Sequence, residues 1–441
     1  MPRTEPARGM RDFLPEDIRR REYVIGVIRR VYERYGFEPL ETPAVENLET
    51  LMGKYGEEGN QLIFKILKRG EHEASGQADL ALRYDLTVPL ARVVAQYQSK
   101  LPRLFKRYQI QPVWRADRPA RGRFREFYQC DVDALGSTSP VVEAEVCAAV
   151  SDALTELGFA DFTIRLNHRQ LLTSFLNAAG IAESLHGTAL VAVDKLDKIG
   201  PDGVKAEMHA RGIDASAAGK LLDLFEVLAK QREQSRSVLV DEAGIRAFEN
   251  FEAVFAHAEG TSAAPRLRFD PSLARGLSYY TGAIMEISVP DLAGSLGAGD
   301  RYDNLVGMFL GQSVPACGFS LGLERILVVM GERGMFPPNL TTTSADVMMA
   351  VFDAVDAPHA LRVAALLRQS GLRVLVYPDA DKIGKQIKYA DSLGIPFVAI
   401  LGGNEIAAGT VTVKNLGAQT QATYDQAAAG GAILEGLRQR G

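Results

Sequence analysis

The stretch from residue 112 to 133, PVWRADRPARGRFREFYQCDVD, constrains this chain more than any other segment. Arg115 follows an apolar segment, a short loop rich in Arg, Pro and Gly comes next, and Arg123 precedes Phe127 by four residues. One guanidinium can fork onto a pair of phosphate oxygens, a second can meet an outer phosphate, and a phenyl ring can stack on a purine. The pattern predicts a nucleoside triphosphate site built without a P-loop, although Arg-rich loops are also common on solvated surfaces.

A second motif, CGFSLGLERI, occupies residues 317–326. It predicts a glycine-punctuated strand that runs into a helix carrying Arg325. Gly318 and Gly322 let the backbone approach a ligand closely, and a guanidinium can lie flat over an aromatic base. The two motifs together favour a nucleotide site over a solvated loop.

Residues 7–46 predict an amphipathic helix upstream of both motifs. Pro15 precedes this helix and Gly36 stops it. An extended segment then runs into Pro43. The apolar face is predicted to carry Ile25, Ile28, Tyr32 and Tyr35.

Taken in chain order, the three segments at 7–46, 112–133 and 317–326 resemble motifs 1, 2 and 3 of class II aminoacyl-tRNA synthetases. LARGLSYYTG (273–282) and SLGAGDRYDNLVG (295–307) resemble the two histidine-specific signatures of the histidyl-tRNA synthetase family. LRYDLTVPLAR (82–92), REFYQCDVD (125–133) and KIGKQIKYADSLGIP (382–396) match the same family, so the resemblance covers nearly the whole chain. It has two departures: Ser278 stands where the family usually has Asp, and Ala298-Gly299-Asp300 interrupts the usual double Gly.

The resemblance implies an α+β fold: the antiparallel-sheet catalytic core of class II synthetases with a helical insertion, followed by a C-terminal α/β anticodon-binding domain. The insertion is predicted from Ala-, Leu-, Lys- and Glu-rich sequence with helical periodicity, and a linker from FPPNLTTTSAD (336–346). Strands at 347–352, 373–377 and 396–401 alternate with helices at 356–370 and 382–393, which favours parallel crossovers. We expect four segments: 1–167 (core, motifs 1 and 2), 168–262 (insertion), 263–335 (core, histidine signatures and motif 3) and 344–441 (anticodon-binding domain).

The activity implied is that of a histidine–tRNA ligase, which activates L-histidine with ATP and transfers it to the 3′ end of histidine tRNA. Attack of a carboxylate on the α-phosphorus needs alignment and fixed positive charge, which arginine supplies. By correspondence with the family, Arg115 and Arg275 are catalytic, and Arg275 does work that a divalent ion does in related synthetases. The residues expected to bind ATP are Arg115, Asp117 (where class II enzymes usually have Glu), Arg123, Phe127 and Arg325.

Recognition of histidine requires several hydrogen-bond acceptors, because the ring has two nitrogens and the α-ammonium group has three protons. By the same correspondence Asp85, Thr87 and Gln129 hold the ammonium group. Asp133 and the Tyr279–Tyr280 pair meet the imidazole, although two adjacent tyrosines are by themselves more typical of packing. The full set expected to bind histidine is Asp85, Leu86, Thr87, Arg115, Gln129, Asp133, Arg275, Tyr279 and Tyr280.

Composition limits the partners. The net charge of −5 does not indicate a nucleic-acid partner, so a basic surface that binds nucleic acid must be local. Leu101–Arg125 is a candidate for such a patch. The three cysteines are dispersed and form no C-x-x-C pair, which predicts a reducing compartment and no structural metal. The sequence shows no signal-peptide pattern and no long apolar run, so we expect a cytoplasmic protein without a membrane span. Mg²⁺ is expected only with ATP, and motif 1 implies a homodimer.

Two alternatives compete with the ligase. A catalytically inactive regulatory paralogue that senses histidine or tRNA would resemble this core, but such paralogues typically lose arginine or acidic contacts. A class II synthetase for threonine or proline would lack the signature at 275–282. The presence of Arg115, Arg123, Arg275 and Arg325, together with residues 344–441, favours the ligase.

Overall fold

The computed structural model describes residues 4–70, 75–239, 241–274, 279–338, 340 and 343–439. The chain forms two compact units, Met1–Phe336 and Pro337–Gly441. No helix within the described ranges is both long and apolar enough to cross a membrane.

The first unit contains eleven strands and thirteen α-helices among its described residues. The strands are β1 (Glu38–Pro39), β2 (Val45–Asn47), β3 (Lys65–Leu67), β4 (Ala78–Leu82), β5 (Phe105–Trp114), β6 (Glu126–Leu135), β7 (Thr163–His168), β8 (Leu267–Phe269), β9 (Ala283–Ser288), β10 (Gly297–Arg301) and β11 (Ala316–Gly322). The helices are α1 (Pro15–Arg34), α2 (Leu48–Leu51), α3 (Gly56–Gln61), α4 (Thr87–Tyr97), α5 (Val141–Glu156), α6 (Arg169–Ala179), α7 (His186–Val193), α8 (Leu196–Ala210), α9 (Ala215–Lys230), α10 (Ser235–Val238), α11 (Glu242–Ala258), α12 (Gly307–Leu310) and α13 (Leu323–Glu332).

A large sheet organises this unit. Its strand order, within the described part of the chain, is β1-β5-β6-β11-β10-β9-β7-β8. The β1–β5 and β7–β8 pairs at the two edges are parallel, and all pairs between β5 and β7 are antiparallel. The predicted α+β class with a mainly antiparallel core sheet is therefore confirmed.

The two faces of the sheet differ in chemistry because successive residues of a strand point to opposite faces. On β6, Cys130 and Val132 are fully buried in the main hydrophobic core, together with Phe319 of β11 and Val150 of α5. The intervening β6 residues are polar or aromatic, and strand registry places them beside polar residues of β5 and β11. The apolar face is thus packed under helices, and the polar face remains for binding.

Helix α1 begins at Pro15, whose missing N–H costs nothing in a first helical turn, and ends before Gly36, which has a φ of +73°. Its buried face includes Ile28 and Tyr32 as predicted. Ile25 and Tyr35 are only partly buried against the core. The most buried positions of the helix are Val24, Val27, Ile28, Val31 and Tyr32.

Helices α6 to α11 occupy the segment between β7 and β8, where helical periodicity was expected. Their apolar residues continue the core of the large sheet, since Phe175 of α6, Phe225 of α9 and Phe251 of α11 belong to the same buried cluster. A separate three-stranded sheet has the order β2-β4-β3.

The second unit is a five-stranded sheet with helices. Its elements are β12 (Val347–Val351), α14 (Ala357–Gln369), β13 (Val374–Val376), α15 (Ile383–Ser392), β14 (Phe397–Leu401), α16 (Gly403–Ala408), β15 (Thr410–Asn415), β16 (Thr420–Asp425) and α17 (Ala429–Arg438). The strand order is β13-β12-β14-β15-β16. Strands β12, β13 and β14 are parallel as predicted, whereas the antiparallel strands β15 and β16 were not anticipated.

Candidate active site

The polar face of the large sheet carries a row of side chains at alternate positions of β6. Phe127, Gln129, Asp131 and Asp133 share this face. Across the strand pairs they are opposed by Val113, Gln111, Gln109 and Arg107 of β5, and by Gly322, Ser320 and Gly318 of β11. A Cβ atom at position 318 would overlap the Asp133 carboxylate, so glycine there makes room for a buried acid.

Asp85 provides a second acid beside this face. It lies between β4 and α4 and is 4% exposed. The Tyr55 hydroxyl donates to its Oδ1 at 3.0 Å, and the backbone N–H of Val88 donates to the same atom at 3.1 Å. Burial raises the pKa of Asp85, and the Val88 N–H and the positive charge of Arg115 oppose this effect. The residue fits an ammonium-binding role because a cation would offset the cost of burying the carboxylate.

Arg107 and Asp133 form a fully buried ion pair at 2.9 Å between Nη2 and Oδ2. The Tyr302 hydroxyl donates to Asp133 Oδ1, and Arg107 Nη2 also donates to the carbonyl oxygen of Leu86 at 3.3 Å. Asp133 therefore has a hydrogen bond on Oδ1 and a charge contact on Oδ2, and Oδ2 accepts no hydrogen bond among the described residues.

The tyrosines expected near the imidazole pack against each other. The rings of Tyr279 and Tyr280 are edge to face with centroids 5.2 Å apart, and Tyr279 lies 6.4 Å from Tyr302. Burial raises the pKa of the Tyr279 hydroxyl well above its usual value, and nearby Asp85 contributes in the same direction. Tyr279 thus links the Asp85 side of the site to the Asp133 side.

Arg115 sits at the end of the polar row. Its guanidinium lies 4.3 Å from the centroid of the Tyr84 ring and 5.2 Å from that of Phe127, and its Nε donates to the Tyr84 carbonyl oxygen at 3.0 Å. These contacts hold the cation between the Asp85 segment and β6. The arrangement presents a fixed positive charge beside an aromatic ring.

Two further arginines lie near the motif 2 loop. Arg123 Nη2 is 2.7 Å from Asp117 Oδ1, and the Arg123 side chain is 53% exposed. Arg325 donates from Nη1 to the Ser295 carbonyl oxygen at 2.5 Å and passes beside Gly122. Asp117 therefore contacts Arg123 directly, a pairing that sequence spacing did not reveal.

Arg275 and Ser278 lie outside the described residues. Thr87 is the first residue of α4 and is half-buried, and Leu86, which precedes it, is fully buried. The other predicted binding residues surround the polar face.

Part of the basic interval Leu101–Arg125 is buried or paired, whereas Arg103, Arg118, Arg121 and Arg123 are exposed, so a local patch there stays a prediction. Arg107 is completely buried against Asp133. Lys106 pairs with Glu145 at 2.9 Å, and Arg121 pairs with Glu332. Alternation along β5 sends neighbouring basic residues to opposite faces of the sheet, which a linear count of charges cannot detect.

Sequence reasoning missed three residues that the structure makes prominent: Arg107, Asp131 and Glu324. Asp131 is 2% exposed in the middle of the polar row. Glu324 is 3% exposed and contacts both α1 and β6. The alternation of residues 127, 129, 131 and 133 was a usable signal for Asp131, whereas nothing local in the sequence indicates the partners of Arg107 and Glu324.

The described residues contain no group of three His, Cys, Asp or Glu side chains that could hold a metal ion. Each of the three cysteines is buried and free of disulfide bonds.

The antiparallel sheet, its motif 2 loop and the arginine carried by α13 define the catalytic core of a class II aminoacyl-tRNA synthetase. Residues 9–326 match the family model described as histidyl-tRNA synthetase, and residues 346–435 match the model described as anticodon binding domain. The chain belongs to the histidyl-tRNA synthetase family.

Relatives of known name agree over the full length. The histidine–tRNA ligase of Christiangramia forsetii is 40% identical, with 97% of this chain and 98% of the relative covered. That of Gloeobacter violaceus is 41% identical, with 98% of each chain covered. The crystal structure of histidyl-tRNA synthetase from Nostoc sp. PCC 7120 has a TM-score of 0.80 and 32% identity, and covers 99% of this chain and 100% of that chain.

Proposed function

We propose that this protein is a histidine–tRNA ligase that converts L-histidine, ATP and histidine tRNA to histidyl-tRNA, AMP and pyrophosphate. The observation that carries the proposal is the polar face of the sheet. There, buried acceptors for a histidine (Asp85, Gln129 and Asp133) adjoin an arginine beside an aromatic ring (Arg115 and Phe127). Full-length similarity to named histidine–tRNA ligases supports it.

ATP would bind at the Arg115 end of this face. Phe127 would stack on adenine, with Arg325 on the side of the outer phosphates. Arg123 would also meet an outer phosphate, since its guanidinium is half exposed and can turn from Asp117 toward a ligand. Asp117 would then remain near the adenine.

Histidine would bind beside ATP with its carboxylate toward the α-phosphorus. Asp85, Thr87 and Gln129 would hold the ammonium group, and Leu86 would fix the backbone between them. The imidazole would lie toward Asp133, Tyr279 and Tyr280. The Gln129 amide donates to Ser320 at 2.9 Å, and its Oε1 is buried without a hydrogen-bond partner among the described residues, which suits it to accept from an ammonium group.

Adenylate formation would proceed without covalent chemistry from the protein. The histidine carboxylate attacks the α-phosphorus and pyrophosphate leaves, while Arg115 and Arg275 stabilise the negative charge that develops on the phosphoryl oxygens. Mg²⁺ would accompany the phosphates of ATP, in keeping with the absence of a metal-binding cluster among the described residues. The role of Arg275 rests on the family resemblance.

The tRNA would be bound by both units. Residues 344–441 would read the anticodon, because sequence-specific RNA readers favour unstacked loop bases. Motif 1, residues 7–46, would contribute to a homodimer, and the protein would work in the cytoplasm. No observation favours a regulatory paralogue, since Arg115, Arg123 and Arg325 all lie at the site.

ATP–pyrophosphate exchange measured with each of the twenty amino acids tests the proposal. We expect exchange with histidine alone, followed by charging of histidine tRNA. Histidine binding without exchange would instead support the regulatory paralogue, and exchange with another amino acid would reassign the substrate.

A further inference from the structure

The polar face holds one more carboxylate than the assigned contacts require. Asp131 lies between Gln129 and Asp133 on β6, is 2% exposed, and is opposed by Gln109 on one side and Ser320 on the other. Its side chain points to the same face as theirs. The residue therefore lies on the same buried polar face.

Asp131 lies farther than Asp133 from Arg107, the guanidinium that faces both carboxylates. Arg107 lies 2.9 Å from Asp133 but 3.8 Å from Asp131. Asp131 otherwise has a hydrogen bond from the Ser320 hydroxyl and a 3.5 Å contact from the Gln129 amide nitrogen. One guanidinium thus faces two buried carboxylates, and it is committed mainly to Asp133.

A buried carboxylate with one neutral donor and a distant cation is costly unless a proton or a cation joins it. Burial raises the pKa of Asp131, the positive charge of Arg107 opposes this, and the negative charge of Asp133 reinforces it. The charged groups around it are Arg107 on β5, Asp133 on β6 and Asp85 next to α4, so the acids outnumber the base among these described residues. A ring nitrogen that carries a proton would supply the missing proton.

We propose that Asp131 is a specificity-determining residue that pairs with one ring nitrogen of the bound histidine, with a single proton held between the carboxylate and the ring. This inference rests on the proposed function. Through Asp131 the site selects the ring of the amino acid by its basicity as well as by its size and shape. An isosteric ring of low basicity, such as the triazole of 1,2,4-triazole-3-alanine, cannot share that proton equally well.

The experiment compares kcat/KM for pyrophosphate exchange with histidine and with 1,2,4-triazole-3-alanine. The wild-type protein should prefer histidine strongly. Asp131→Asn keeps the shape and can donate to either ring, so the preference should shrink by roughly ten- to a hundredfold, chiefly through a higher KM for histidine. An unchanged preference in a folded variant would overturn the proposal.

Asp152→Asn is the matched control. Asp152 lies on α5 and accepts a hydrogen bond from Tyr35 at 2.7 Å. Because α5 packs on the apolar face of the sheet, this Asp→Asn change should leave the preference between the two amino acids unaltered. A similar change in the control would show that the effect is not specific to position 131, and would count against the proposal.

A measurement on the wild-type protein covers the case in which Asp131→Asn does not fold. Histidine labelled with ¹⁵N in the ring, bound with a non-hydrolysable ATP analogue, should show both ring nitrogens in hydrogen-bonded, protonated or proton-sharing environments. A free, unprotonated ring nitrogen would overturn the inference. Absence of histidine-dependent exchange in the wild type would sink the proposed function and the inference together, whereas normal exchange with an unaltered preference would sink only the inference.

Discussion

Glu324 of α13 and Arg21 of α1 form a buried ion pair, with 2.9 Å between Oε1 and Nη1 and side chains that are 3% and 6% exposed. The second carboxylate oxygen of Glu324 accepts the backbone N–H of Tyr128 at 2.9 Å. Strand β11 leaves the sheet at Gly322, which pairs with Gln129, so Tyr128 is one residue past the last strand pair. Glu324 therefore accepts the backbone hydrogen bond that a further residue of β11 would otherwise accept. Its contacts with Arg21 and Tyr128 connect motifs 1, 2 and 3.

Replacing Glu324 should affect both stability and ATP binding. Glu324→Gln would leave Arg21 buried without its counter-charge, which typically costs about 3–5 kcal/mol. Phe127 and Arg325 are the chain neighbours of Tyr128 and Glu324, so their spacing should relax as well. We expect a lower free energy of unfolding in urea, and a larger rise in the KM for ATP than in that for histidine.

Glu332→Gln is the control on the same helix. Glu332 pairs with Arg121, and both side chains are 49% exposed. An exposed pair of this kind contributes little to stability, because solvent screens it. Equal losses of stability in the two variants, or equal changes in the two KM values for Glu324→Gln, would contradict the positioning role.

Arg275 should be needed for adenylate formation more than for transfer. The expectation comes from the family resemblance, which puts this arginine at the α-phosphate where charge develops. Removal of a preorganised donor of this kind costs roughly a hundred- to a thousandfold in rate. Arg275→Ala should therefore abolish most pyrophosphate exchange, while transfer to tRNA from added histidyl-adenylate declines much less.

Arg268→Ala is a suitable control, because Arg268 is exposed and donates only to the carbonyl oxygen of Leu267 among its described hydrogen bonds. It should leave both half-reactions near the wild-type rate. If Arg275→Ala slowed exchange and transfer to the same extent, the assigned role would be withdrawn.

His168 should make the protein less stable in acid. Its Nδ1 accepts the backbone N–H of Gln170 at 3.2 Å and caps α6, and burial, together with the charge of Arg301, lowers its pKa to about 4. The unfolded chain binds this proton below the ordinary pKa of about 6.5, so it holds more protons than the native state between those values. The free energy of unfolding therefore decreases as the pH falls from 6.5 toward 4, by up to about 3 kcal/mol.

His168→Asn isolates this effect, because asparagine is a good helix cap that does not titrate. The free energy of unfolding should fall less between pH 7.5 and 4.5 in the variant than in the wild type. Other titrating groups, including the buried acids, contribute similarly to both proteins and cancel in the comparison. Parallel losses in the two proteins would show that His168 is not responsible.

Local signals in the sequence predicted the elements that depend on local physics. Pro15 and Gly36 bracket α1, and the alternation of strands and helices after residue 346 gave the parallel strands β12 to β14. The hairpin β15–β16 and helix α17 were not predicted, although the alternation of Val411 and Val413 with threonines was a usable strand signal.

The polar face was predictable where strand alternation and family motifs coincide, as at Gln129 and Asp133, whose binding roles stay predictions. It was not predictable where partners are distant in sequence. Arginine is rarely buried without a partner, and the partner of Arg107 is on the next strand, Asp133. The Ser320 hydroxyl accepts a hydrogen bond from the Gln129 amide, and the two residues are 191 positions apart in the sequence. Such contacts follow from sheet order, and strand order is set by the whole fold.

The second unit should be separable from amino acid activation. Residues Pro337–Gly441 form their own sheet and hydrophobic core, and the family match for this segment is to an anticodon binding domain. A truncation that ends at Ser344 should keep at least part of the histidine-dependent exchange, provided that it forms the proposed homodimer. It should lose most aminoacylation, with weaker tRNA binding and a smaller salt dependence, because phosphate contacts are lost.

A change of the tRNA anticodon provides the decisive comparison between the full-length and truncated proteins. The full-length protein should charge the altered tRNA poorly, because base-edge hydrogen bonds and stacking would be lost. The truncated protein should discriminate little between the two tRNAs, since its remaining contacts lie elsewhere on the molecule. The two proteins are compared by kcat/KM for aminoacylation at the same salt concentration. An equal response of both proteins to the anticodon change would assign anticodon reading to the first unit.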